Sequence, residues 1–462
     1  MATESHTGVL RDRCGLEVHC SSQEAMDRYN QGLIEYVRSY GDSMASFGKA
    51  LELDNGFFLI NCTLGSMWLS VLKKPSDPLV ATHLDAVNKL SSDQVLPREQ
   101  FHIDAFKAYA SGDLPAACDH WERCTIDYPK DALATRNAFV GRLMLGQLDR
   151  SRANLSYVLT YWKKEDPLYP FILSLYSFTL EETGRFQDAS TAAWESLSMN
   201  PQAPWATHAL GHVIEEDRDV HEGVGFLTST RDHWKDSGLG NHIAWHLCLY
   251  YFDLGDTEAV LKEYDGNLVN KVVSSNLFGL LDASSLLWRL ECDGVDVGDR
   301  WTKVHEAFKA HLDNRALVWY DTHLMMSLVY GGLCNESAAR FALAEHLIKS
   351  LKDYSQSGRS TDCKVAEVVG APTCEALLAY GKQQFDEVVS LLVPRRYDIV
   401  RLGGSWAQRQ VFSVTFIQAA IKAGKLKLAL SLIAELKAVK PKSHRLAVLY
   451  TNVQQMITSK DS

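Results

Sequence analysis

Three times along this chain a glycine is followed by an alanine five residues on and by a proline twelve residues further. The sets are Gly112/Ala117/Pro129, Gly184/Ala189/Pro201 and Gly424/Ala429/Pro441. Two residues after each glycine stands a large apolar side chain: Leu114, Phe186 and Leu426. The spacing describes the turn and second helix of a helical hairpin. Glycine ends the first helix in a left-handed cap that costs little without a Cβ. The alanine lets the second helix lie close to the first, and the proline stands where that helix must stop. The interval from Gly112 to the next such turn, Gly146, is 34 residues, the period of tetratricopeptide repeats. The sequence therefore predicts an all-α fold, an α-α superhelix (solenoid) of tetratricopeptide-like helix pairs.

The rest of the chain fits one architecture. Residues 1–20 read as a flexible N-terminal tail, 21–455 as a single helical repeat domain and 456–462 as a flexible C-terminal tail. No strand-like alternation is visible. Gly255 and Gly294 mark further turns, and Ser405 can cap a helix that begins after Gly403-Gly404.

Composition excludes several classes of function. The 462 residues carry a formal charge of −10 and no block of Lys or Arg, so a phosphate-backbone partner is not expected. The ten cysteines form no CxxC pair and read as reduced thiols. The opening segment MATESHTGVLRDRC is polar, and the stretch Phe57 to Leu72 is interrupted by Asn61, Ser66 and Ser70. Neither a secretory leader nor a membrane helix is expected, and the location expected is cytoplasmic.

Two constellations could carry chemistry. In WATHALGHVIEE, His208, His212 and Glu215 share one helix face at i, i+4 and i+7. In NHIAWHLCLYY, His242 and His246 share another at i, i+4. Asp282, Asp321 and His323 follow on later first helices. Neutral imidazoles and carboxylates in this pattern can hold a transition metal, with His208, His212, His242 and His246 as its ligands. They can equally line an organic-ligand pocket or satisfy one another as buried hydrogen-bonded groups. The zinc-protease pattern HExxH is absent, because position 209 is alanine. The second constellation is VPRRYDIVRLGGSWAQRQVF. A glycine pair before a helix start, with Gln408 and Arg409 in the first turns and Arg395, Arg396 and Arg401 nearby, suits a small anion. It suits a tight turn with solvated arginines as well.

The strings HALGHVIEE, HIAWHLCLYYFDLGD, GVDVGDRW, YDTHLMMSL and RRYDIVRLGGSWAQR resemble the tetratricopeptide repeat protein 38 family, from about Arg98 to Phe412. The resemblance implies a cytosolic all-helical repeat protein and no established reaction or cofactor. His208, His212, His242, His246, Asp321, His323, Gln408 and Arg409 match its motif positions. Trp406 and Gln410 depart from it, where a smaller polar residue and an aspartate are expected.

Two classes of function follow. One is a binding protein that holds a peptide, a protein segment or a small anionic ligand in a concave groove. The other is an enzyme or metal-binding protein that uses an inward-facing His/Asp/Arg pocket. Nucleic acid and membrane are not expected partners, and the less protected N-terminal end could support a homodimer.

Overall fold

The computed structural model describes residues 8–90, 95–269, 277–309, 311–330, 337–358 and 360–461. The fold is all-α, built of tetratricopeptide-like helix pairs that follow one another along the chain. Contacts divide it into two compact units. The first comprises the described residues up to Ala206, with Asp236–Gly238 and residues 360–361. The second comprises the rest.

The repeat spacing works as its chemistry requires. Gly112, Gly146, Gly184 and Gly424 all have left-handed backbones, with φ of 87°, 65°, 75° and 71°. After each, the next residue's N–H reaches back to a carbonyl five residues earlier: Asp113 to Ala108, Gln147 to Arg142, Arg185 to Leu180 and Lys425 to Ala420, at 2.8–2.9 Å. This is the Schellman closure, which satisfies carbonyls that the ending helix leaves open. Ala117, Ala189 and Ala429 are fully buried, where a larger side chain would hold the paired helices apart. The second helices end at Asp127, Met199 and Val439, each two residues before its proline.

In the first unit, a short antiparallel hairpin precedes the helices. Its strands are β1 (Val9–Arg11) and β2 (Glu17–His19), with Val9 opposite His19. The flexible tail expected over residues 1–20 is thus an ordered hairpin from Val9 onward, and strands are present where none was expected. The cause is polar. Buried Asp12 accepts the N–H groups of Cys14 and Leu16 at 2.9 and 3.0 Å, and it pairs with Arg98 at 3.1 Å. Residue 456 begins no tail either, because the last helix runs from His444 to Asp461.

The second unit carries the candidate site. Its relevant helices are α1 (Pro204–Asp217, within this unit from Thr207), α2 (Gly240–Leu254), α3 (Leu277–Cys292) and α4 (Trp406–Lys422). Two more of its helices matter here, α5 (Leu426–Val439) and α6 (His444–Asp461). Among the described residues no helix is long and apolar enough to cross a membrane.

Candidate metal centre

Histidines four residues apart on a helix project side by side, because 3.6 residues make one turn. The α1 pair His208/His212 meets the α2 pair His242/His246. One potential ligand atom from each lies within 4.8 Å of all the others. Their ring centroids are 4.4 to 5.0 Å apart where paired. The Nε2 of His208 stands 3.0 Å from that of His212 and 3.1 Å from that of His246. His208, His212 and His246 are buried, and the His242 side chain keeps 15% of its surface.

Two carboxylates stand behind these rings. The Nδ1 of His246 donates to Glu215 Oε2 at 3.0 Å, and the Nδ1 of His242 donates to Asp282 Oδ2 at 2.8 Å. A proton fixed on Nδ1 leaves the lone pair on Nε2, the atom turned toward the cluster in His246. Glu215 is held from its other oxygen by the ammonium of Lys440, which also donates to Gln410 Oε1 at 3.2 Å. Burial alone would raise the Glu215 carboxyl. Lys440 and the His246 hydrogen bond outweigh it and hold the group well below the usual carboxylate range.

Protonation follows from the same surroundings. Burial, and then the neighbouring imidazoles, keep His208 and His212 well below the ordinary histidine range. Burial also lowers His246, against the pull of Glu215. These three rings are neutral near pH 7, the form that ligates metals.

The remaining expected residues are distributed around this centre. Gln408 lies 3.4 Å from Asp282 through its amide nitrogen, so it touches the carboxylate behind His242. Asp321 pairs with Arg315 at 2.6 Å, and burial still pushes its carboxyl up to about 7. His323 donates Nδ1–H to the Trp319 carbonyl at 2.9 Å. Neither belongs to the set of four converging imidazoles.

The arginine constellation does not converge. Arg409 turns to the carbonyls of Gly403 and Gly404, Arg401 to Asp398, Arg395 to the Leu391 carbonyl, and Arg396 to Val393, Tyr397 and Glu435. The helix start at Ser405 is closed by its own capping box. Ser405 Oγ accepts the Gln408 N–H at 3.2 Å, and Gln408 Oε1 accepts the Ser405 N–H at 3.0 Å. Two of the N–H groups at this helix start, those of Ser405 and Gln408, are thus satisfied from within.

A second cluster lies in the first unit. Asp131 Oδ2 receives Arg98 Nε at 2.7 Å and His102 Nε2 at 2.9 Å, with Cys124 Sγ at 3.5 Å. A guanidinium already occupies the carboxylate, so this group is a satisfied polar network. Its partners lie about thirty residues apart in sequence, beyond the reach of any helical spacing.

No family model matches the chain. Among solved structures it is similar to yeast Tom70, with 14% identity over 95% of this chain and 96% of that one and a TM-score of 0.33. It is similar also to a human IFIT1 dimer with PPP-AAAA, with 11% identity over 95% and 96% and a TM-score of 0.40.

Proposed function

We propose that this helical repeat protein binds one divalent transition-metal ion between His208, His212, His242 and His246. The observation that carries the reading is the meeting of three Nε2 atoms at 3.0 and 3.1 Å around His208. A ring nitrogen carries one proton or one in-plane lone pair, so a single Nε2 cannot make two linear hydrogen bonds. Around a tetrahedral ion with metal–nitrogen bonds of about 2.1 Å the nitrogens would stand about 3.4 Å apart. The two spacings at His208 are a few tenths of an ångström short of that, and the four ligand atoms all lie within 4.8 Å of one another. The carboxylates on His246 and His242 are the outer partners that ligating histidines use, and they bring negative charge toward a cation. An all-imidazole set suits zinc, iron, nickel or copper rather than magnesium or calcium.

The test is metal content. Full-length protein, stripped with a chelator and then titrated with zinc, should take up one equivalent. The double substitution His208→Ala/His242→Ala should abolish that uptake while retaining helical circular dichroism. Saturable uptake absent from the unmodified protein would remove the reading. Capture of a peptide in a groove is the other class that the sequence suggests. A metal-free protein that captures peptides would put that class in its place.

A further inference from the structure

Beside Glu215 lies a cavity of about 30 Å³, with room for one small molecule. Arg289, Lys440 and Arg445 line it together with two acids, Glu215 and Asp253. Both acids already have partners. Glu215 is held by Lys440, and Asp253 accepts the Ser443 hydroxyl and the His444 N–H. Arg445 is paired with Asp293.

Arg289 differs from its neighbours. It is 1% exposed, and its guanidinium donates to the carbonyls of Ser285 at 3.2 Å and Ala407 at 2.8 Å. It lies over the Trp245 ring at 5.4 Å, and among the described residues no carboxylate stands within ion-pair distance of it. Gln410 lines the same cavity. Its Oε1 accepts from Lys440, while its buried Nε2 donor has no partner among the described residues. A buried guanidinium is costly without an anion, and an unmet amide donor adds to the cost.

We infer that this cavity binds a small anion of carboxylate size, held by the Arg289 guanidinium, the Lys440 ammonium and the Gln410 amide. A planar guanidinium matches a carboxylate better than a spherical ion. The volume admits a formate-sized group and excludes a nucleotide. The cavity shares Glu215 with the imidazole cluster, so the test uses metal-free protein. Its outcome leaves the metal reading where it stands.

Full-length protein is titrated with carbon-13 formate in chloride-free buffer at constant ionic strength, and line broadening is read by NMR. Saturable broadening is expected, and an equal concentration of chloride should not reverse it. Arg289→Gln should abolish it. Because that variant removes a buried group, Gln410→Glu is the second arm. It keeps the side-chain shape and places a built-in carboxylate beside Lys440, so formate should be displaced and affinity should fall by about tenfold or more. Three results would overturn the proposal: no broadening at tens of millimolar formate, equal broadening in both variants, or displacement by equimolar chloride.

Discussion

The Nδ1 of His246 donates to Glu215 Oε2 at 3.0 Å, and the Nε2 of the same ring faces His208 at 3.1 Å. One bond thus sets both the tautomer and the aim of the ring. Glu215→Gln keeps the shape and removes the charge that makes the imidazole a stronger donor to a metal. Zinc affinity, read by competition with a chromogenic chelator at pH 7, should fall by about 10- to 100-fold. Unchanged affinity would mean that Glu215 does no more than fill space.

Arg98 is a buried tie between the N-terminal hairpin and the helices of the first unit, beside the bonds of His19 to Glu99. It reaches Asp131 at 2.7 Å and Asp12 at 3.1 Å, and all three side chains are buried. Arg98→Met would leave two buried carboxylates without their cation. A loss of about 3–5 kcal/mol is expected in urea unfolding, because breaking a buried pair costs more than the pair contributes. Limited proteolysis should then cut between residues 8 and 20. A variant as stable as the parent, with the hairpin still protected, would contradict this account.

The helix pairs were legible in the sequence because a left-handed cap, a close helix contact and a stopping proline are chemistry of a few adjacent residues. The histidine faces were legible for a similar reason, since i, i+4 spacing alone puts His208 beside His212 and His242 beside His246. What sets the site's charge was not legible. Lys440 gives no local signal of its partner, because it meets Glu215 from 225 positions away. Arg289 sits within an apolar helix and gives no signal of the cavity that it lines. At Gly403-Gly404 the sequence left an anion site and a tight turn both open, and in the structure Ser405 and Gln408 cap each other's N–H groups. The hairpin escaped notice because its strands are three residues long and its anchor, Arg98, lies about eighty residues on.

Two glycines separate two reasons for having no side chain. Gly184 has φ of 75° with nothing within 4 Å of where a Cβ would stand. Gly65 lies inside a helix, and its Cβ would come within 2.1 Å of the Phe106 ring. Gly184→Ala should cost about 1–2 kcal/mol through backbone conformation alone. Gly65→Ala should cost about 1–3 kcal/mol or more, because the buried Phe106 has to move. Adding Phe106→Leu should recover part of the Gly65→Ala loss and none of the Gly184→Ala loss. Equal recovery in both backgrounds would refute the distinction.

His323 makes stability depend on pH. Burial is the main cause that lowers its ring from 6.5 to about 4, and its Nδ1–H is held by the Trp319 carbonyl at 2.9 Å. The unfolded chain binds a proton near 6.5, whereas the folded chain resists one until about 4. Its contribution is therefore fully present above pH 6.5. It is lost as the pH falls through that window, to a total of about 3 kcal/mol. Below pH 4 both states are protonated and the slope from this residue ends. In metal-free protein, His323→Gln should flatten the plot of unfolding free energy against pH by about 1 kcal/mol per unit between pH 6 and 4.5. Urea titrations at four pH values measure this directly, and parallel plots for parent and variant would show that His323 is not the group that resists protonation.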